Sequence, residues 1–361
     1  MDRALNEMRT SPLLWLLVFV PVVLAGERLW PDRHTLLFLL SVLAIVPLAA
    51  LLSRATESVA ARTGDAIGGL LNATLGNLTE LVIALTALQA GQYLLVKASI
   101  AGAVVTNTLF MLGGAFLIGG LKYHEQEFNR ITARVQSGLL FLATVALLVP
   151  SFVAQVDGRE AVTQPLSLGL SVLLILGYGL SLLFALKTHK EAFASAGHGE
   201  ADEEPWPISF ALVTLALVTV LVALVSEVFV SSVQIAAETL GMSSAFVGFV
   251  VVAIVGAAAE MTTAFSAAAK DRLDLSVGIA LGSAAQIALF VAPLLVLLSY
   301  VIGPQPMSLQ FWPGAIAMML IATMAAALMT NGGRSAWFLG VMILMVYAIF
   351  ALTLFLLPPA S

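Results

Sequence analysis

Cysteine is absent from the 361 residues, which removes disulfides, thiolate metal sites and cysteine chemistry from consideration. Charge is scarce as well. Only 10% of the residues are charged against 60% hydrophobic, and the mean hydropathy is +1.02. Such a balance excludes a soluble globular domain and any large extramembrane domain. The net charge of −5 is small and spread over loops, so nucleic acid is not a partner. All four histidines, His34, His124, His189 and His198, fall in expected loops, leaving no buried imidazole. The paired-aspartate motif of a membrane prenyl transferase, the HExxH of a zinc protease and a nucleotide-binding loop are all missing. The expectation is an all-α polytopic membrane protein that is not an enzyme, needs no cofactor and has the lipid bilayer as its surroundings.

What the chain does have is long apolar runs. About 20 apolar residues cross a bilayer as a helix. Reading the runs against loop punctuation gives helices near 13–30, 35–56, 64–90, 93–120, 131–155 and 165–187, then near 206–230, 243–269, 273–301, 308–330 and 334–357. Arg3 and Arg9 ahead of an apolar start superficially resemble a secretory signal peptide, but the run ends in Glu27-Arg28 and a retained helix is the plainer reading. With the amino terminus in the cytoplasm, twelve Lys and Arg residues lie inside and only Arg28, Arg33, Lys97 and Arg159 outside. The positive-inside rule supports that orientation. A short-looped chain of this kind suits a prokaryotic inner (cell) membrane, with a homo-oligomer left open.

Shifting the sequence by 180 positions brings Gly76 onto Gly256, Glu80 onto Glu260, Ala84 onto Ala264, Gly102 onto Gly282 and Phe110 onto Phe290. A constant offset across two hydrophobic segments signals a duplicated unit. The division that follows is an extra helix in 1–33, a five-helix repeat in 34–190, an acidic cytoplasmic linker in 191–205 and a second five-helix repeat in 206–361. An odd number of helices per repeat makes the second enter from the opposite side. The eleven helices therefore form a 1+5+5 arrangement with two inverted-topology repeats, which in transporters meet at a midplane binding site and give alternating access.

Each repeat carries one carboxylate at membrane depth, Glu80 in Gly76-Asn77-Leu78-Thr79-Glu80 and Glu260 in Gly256-Ala257-Ala258-Ala259-Glu260. Ionisable groups there are costly and usually serve ion or proton movement. Gly76 and Gly256 lie four residues before their glutamates and either kink the helix, freeing carbonyls, or let helices pack closely. A calcium ion takes roughly six to eight oxygen ligands, and two glutamates neutralise its charge. Asn77, Thr79, Thr262, Thr263 and freed carbonyls can supply more oxygen, and Asn107, Ser283 and Gln286 come from the next helix of each repeat. Without a cation, two close buried carboxylates resist being charged together, so protons are the other natural occupants. A site that holds either a divalent cation or protons, and does not cross empty, belongs to an exchanger.

Two further glutamates end helices on opposite sides, Glu57 on the cytoplasmic side and Glu227 on the outer side. They read as gates or proton ports, or as interfacial charges. The linker cluster Glu200, Asp202, Glu203 and Glu204 reads as a solvated segment or a regulatory one, without the loop pattern of an EF-hand.

Gly76-Asn77-Leu78-Thr79-Glu80-Leu81, the stretch 256–261, Ala269-Lys270-Asp271-Arg272-Leu273-Asp274-Leu275 and Gly282-Ser283-Ala284-Ala285-Gln286-Ile287-Ala288-Leu289-Phe290-Val291 resemble the repeat motifs of the calcium/proton exchanger (CAX) family of the cation/calcium exchanger superfamily. The resemblance runs from about residue 50 to the carboxyl end. It implies a one-plus-five-plus-five helical fold with an acidic cytoplasmic segment. It also implies proton influx driving Ca2+ out of the cytoplasm, with Glu80 and Glu260 as the shared cation ligands. Ala257 and Met261 stand where that family usually has asparagine and histidine. One amide oxygen and one titratable ring are thus missing beside Glu260, which leaves open sodium-coupled Ca2+ exchange or monovalent cation/proton exchange on the same scaffold.

Overall fold

The computed structural model describes residues 12–63, 65–154, 160–189 and 205–357. The acidic cluster at 200–204 lies outside these residues. A 3-10 stretch, Pro12–Val18, leads into α1 (Phe19–Leu29), and α2 (His34–Arg62) runs past its expected end at 56. The run expected at 64–90 is two helices, α3 (Asp65–Leu75) and α4 (Leu78–Gln89), separated at Gly76 and Asn77. After α5 (Tyr93–Tyr123) and a short strand β1 (Glu125–Glu127) come α6 (Arg130–Val153) and α7 (Glu160–Leu183).

The second half repeats the plan. It begins with α8 (Ile208–Thr239), which extends nine residues beyond the expected 230, since 239 − 230 = 9. The run expected at 243–269 is again broken, into α9 (Ser244–Gly256) and α10 (Ala258–Ala269), bent by 58°. Then follow α11 (Leu273–Ser299), α12 (Pro313–Thr330), β2 (Arg334–Ala336) and α13 (Trp337–Leu356). The expectation that a helix begins near 308 is corrected. Residues 301–312 are irregular, and Pro313 opens α12 at a position where its missing N–H costs nothing.

Among the described residues, eight helices are long and apolar enough to cross a membrane, and the bent α9–α10 pair makes a ninth. The molecule is a polytopic helical membrane protein. Its outward faces are apolar: Leu173, Leu176 and Leu180 of α7 and Leu352 and Phe355 of α13 are exposed. Polar side chains such as Ser41, Thr106, Asn107, Ser283 and Gln286 are buried inside, which is the distribution hydrocarbon solvent favours.

Two helices, α5 and α11, run through the centre, and small residues set how closely their neighbours approach. A Cβ at Gly102 would collide with the Phe249 backbone of α9, and one at Gly248 would lie 2.7 Å from Ala98 Cβ. Backbones thus meet where side chains would hold them apart. Both central helices also contain a π-helical turn, Thr106–Met111 in α5 and Ile287–Val291 in α11. Such turns shift helix register by one residue and recur at functional sites. They fall at equivalent places in the two repeats, one containing Asn107 and the other immediately following Gln286.

The strands β1 and β2 pair antiparallel, with Gln126 opposite Ser335 and Glu127 opposite Arg334. An Arg334 to Glu127 contact of 2.7 Å joins them at the surface. This small sheet ties the loop after α5 to the loop before α13, and so one half of the chain to the other.

Candidate functional site

The breaks at 76–77 and 257 bring two helix beginnings into the protein interior. Glu80 is the third residue of α4 and Glu260 the third of α10. At that position the unpaired N–H groups and the positive end of the helix dipole favour negative charge. Both glutamates interact electrostatically with each other, and Glu57 of α2 acts on Glu260 as well.

The glycines have a definite task. A Cβ on Gly256 would lie 2.9 Å from Glu80 Cγ and 3.3 Å from Glu80 Oε1. One on Gly76 would lie 3.4 Å from Gln286 Oε1. Each glycine therefore leaves room for a polar side chain from the opposite repeat. Close packing and a break in the helix, which the sequence offers as alternatives, coexist here.

A chain of hydrogen bonds crosses between the repeats at this level. Asn107 Nδ2 donates to Ser283 Oγ at 2.9 Å, and Ser283 Oγ donates to Asn77 Oδ1 at 2.7 Å. Ser283 also lies within hydrogen-bonding range of Glu260. A serine has one hydroxyl proton, so it serves Asn77 or Glu260 but not both at once.

What remains is a set of buried oxygens that the protein itself leaves without a hydrogen-bond partner: Glu80 Oε1, Glu260 Oε2 and Asn107 Oδ1. Asn77 Nδ2 and Gln286 Nε2 are likewise unpartnered. An unsatisfied buried polar atom costs about 1 to 3 kcal/mol, and more when charged. Three such oxygens from three helices, two of them carboxylate, suit a hard cation or protons. Among the described residues no group of three or more His, Cys, Asp or Glu could hold a metal, so a bound cation would need amide, carbonyl or water oxygens to complete its shell.

The expected residues divide accordingly. Asn77, Glu80, Asn107, Glu260, Ser283 and Gln286 gather in one place, with Gly76 and Gly256 giving them space. Thr262 and Thr263 turn away on an exposed face, their hydroxyls spent on the carbonyls of Ala258 and Ala259 at 2.8 and 3.2 Å. Glu57 does not end its helix but sits five residues inside it, since 62 − 57 = 5, accepting from Ser53 Oγ at 3.1 Å. Glu227 is exposed on α8, inside the helix rather than at its end, with no hydrogen bond to the cluster. Sequence reasoning missed Gln136 of α6, whose Nε2 approaches Gly278 O at 3.4 Å and would lie 3.1 Å from a Cβ at Gly282. It also missed a small cavity beside Glu80. Room for about one water remains there, and Ser99 is the other polar residue in a lining that includes Ile100, Val252 and Ile287.

The comparisons agree with this architecture. The profile of the family described as sodium/calcium exchanger protein matches residues 33–187 and 210–356. A protein of Bacillus subtilis named Ca(2+)/H(+) antiporter ChaA is 41% identical over 342 residues, covering 94% of this chain and 97% of that relative. The Ca(2+)/H(+) antiporter of Aphanothece halophytica is 39% identical over 359 residues, covering 95% and 96% of the two chains. The solved structure of native YfkE superposes with a TM-score of 0.83 at 38% identity, covering 96% of this chain and 100% of its own. An H+/Ca2+ exchanger CAX structure, 16% identical with a TM-score of 0.71 over 96% of this chain and 88% of its own, shares the fold. With both repeats matched, the chain belongs to the sodium/calcium exchanger family.

Proposed function

We propose that this protein is a secondary active antiporter that exchanges cytoplasmic Ca2+ for external protons by alternating access, with Glu80 and Glu260 as the carboxylates both substrates share. The observation that carries the proposal is the buried pair itself: two carboxylates on repeat-equivalent helices, each with an oxygen lacking any partner, beside the free oxygen of Asn107. Relatives of about 40% identity over nearly the whole chain are named Ca(2+)/H(+) antiporters, which supports the choice of substrates. In this reading the protein is a transporter and not an enzyme, and it uses no cofactor beyond the ions it moves.

The mechanism follows from electrostatics. Two bare carboxylates are costly in a low-dielectric interior. A divalent cation neutralises both, and so does a proton on each. Either loaded form can be enclosed, whereas the empty doubly charged form resists it. Crossing loaded in both directions is exchange.

The chain is proposed to make eleven helical passes, as one plus two inverted sets of five, with a cytoplasmic amino terminus in a prokaryotic inner membrane. In that orientation α10 runs from the break at 257 towards the cytoplasm, with Thr262 and Thr263 exposed along it beyond Glu260. The second reading, sodium-coupled or monovalent cation exchange, is favoured by one observation, the absence of an amide at Ala257 opposite Asn77. The deciding experiment is calcium uptake into everted vesicles under an imposed proton gradient, with and without external sodium. Uptake that collapses with a protonophore and ignores sodium supports calcium/proton exchange; uptake that requires sodium overturns it.

A further inference from the structure

The cytoplasmic end of α10 has a backbone conformation that its residue does not favour. Asp271 has φ +59°, in the left-handed region, at the position where the first repeat has Gly91 with φ +70°. The two turns are otherwise alike. Gly91 N–H and Asp271 N–H reach back to the carbonyls of Leu88 and Ala268, and Gln92 and Arg272 donate to those of Ala87 and Ala267. A non-glycine residue there costs of order 1 kcal/mol and persists only where its surroundings hold it.

The surroundings are specific. Gln126 Nε2, from β1, donates to Asp271 Oδ1 at 2.8 Å and to Ala268 O at 3.1 Å. The side chain of Gln126 is buried, and Gly119 of α5 clears space for it, since a Cβ there would collide with Gln126 Oε1. Both contacts are acceptors, so the amide must face them with its NH2. Lys122 Nζ and Tyr123 Oη donate to Ala269 O at 2.7 and 3.1 Å. Asn129 N–H adds a bond of 2.9 Å to Asp274 Oδ1. The free carbonyls at the end of α10 are thus capped by the end of α5 and the segment that follows it.

Glu260 sits nine residues before the end of the same helix, since 269 − 260 = 9. At 1.5 Å per residue that is about 14 Å, so a tilt of about 10° at the far end would move the carboxylate by about 2 Å. A displacement of that size separates a shared ligand set from two isolated groups.

We propose that Asp271 and Gln126 are positioning residues for the candidate cation site: the pair fixes the far end of α10 and thereby holds Glu260 in register with Glu80. This rests on the transport reading above. It also accounts for the use of a strained aspartate where glycine would fold more easily, because glycine cannot bind Gln126.

The test uses Asp271→Gly, Gln126→Leu, the double variant and Asp271→Asn, with half-saturating Ca2+, maximal uptake rate and thermal stability measured for each. Asp271→Gly should melt close to the wild-type temperature, because relief of strain offsets most of the lost hydrogen bond. Its half-saturating Ca2+ should nevertheless rise about tenfold, the weight of one charge-assisted hydrogen bond. Gln126→Leu should show the same rise, the double variant no more, and Asp271→Asn should return towards wild type. Wild-type transport by Asp271→Gly, or losses that multiply in the double variant, overturns the proposal. The transport reading fails separately, as a wild-type protein that moves no calcium. The positioning claim then stands or falls on whether Asp271→Gly changes the thiol-labelling rate of a Thr263→Cys reporter on α10.

Discussion

The helices α4 and α10 are built on one plan and kept in different surroundings. Each follows a break, carries its glutamate as the third residue and ends in the same left-handed turn. Ala84, Ala87 and Leu88 beyond Glu80 and their counterparts Ala264, Ala267 and Ala268 beyond Glu260 are equally buried. Ile83, however, is 2% exposed and Val82 and Thr86 are half-buried, whereas their counterparts Thr263, Thr262 and Ser266 lie open. A duplicated sequence would allow equal environments. The inequality lies along one face of the two helices, better covered and more apolar in α4, exposed and polar in α10. In the alternating-access cycle proposed above, the two faces exchange those environments.

The most severe way to break the comparison is to remove either carboxylate. Glu80→Gln and Glu260→Gln should each reduce calcium transport by at least about a hundredfold, because a charged ligand is lost from a desolvated site. Rates in proteoliposomes would show it. An effect confined to one of the two would mean that the repeats are equivalent in sequence but not in task.

Gly256→Ala comes next, at tens of fold, since its methyl would lie 2.9 Å from Glu80 Cγ and force the carboxylate aside. Wild-type transport by this variant would mean that the close approach carries no weight. Ser283→Ala removes the link between Asn107 and Asn77 and should raise half-saturating Ca2+ about tenfold, while leaving the helices folded.

Acid should weaken calcium binding through competition for the same oxygens. Apparent affinity should fall steadily as pH is lowered from about 8 to about 5, with the carboxylates gaining protons as calcium leaves. Flat affinity over that range would remove protons from the shared site.

The smallest expected effect sharpens the comparison directly. With no native cysteine, single replacements are clean reporters. Thr263→Cys should react with a membrane-impermeant thiol reagent at least about ten times faster than Ile83→Cys, its mate at the 180-residue offset. Equal rates would contradict the asymmetry.

Much of the fold was legible because hydrophobic runs and the 180-residue offset are strong signals in a membrane protein. Gly76, Glu80, Gly256 and Glu260 could be paired on spacing alone, and Asn107, Ser283 and Gln286 followed from the next helices. The loop at 302–307 was legible, but the irregular residues 308–312 were hidden because Leu309, Phe311 and Trp312 are apolar enough to extend the run before Pro313. The directions of Thr262 and Thr263 were hidden too. Their hydroxyls lie near the glutamate in sequence but bond to the preceding turn, a local competition that spacing does not reveal. Gln136 was missed because it belongs to neither repeat motif, and its closeness to Gly282 arises only from packing. The contrast of Gly91 with Asp271 was present in the aligned repeats, but its meaning depends on a backbone angle and on Gln126 lying opposite.

The central claim is that calcium and protons occupy the same two carboxylates. Its most direct test is to add Ca2+ to the purified protein in weakly buffered solution and measure the protons released. The account predicts proton release that saturates with calcium binding and is diminished in Glu260→Gln. Calcium binding without proton release, at a pH where the calcium-free site is protonated, would contradict it.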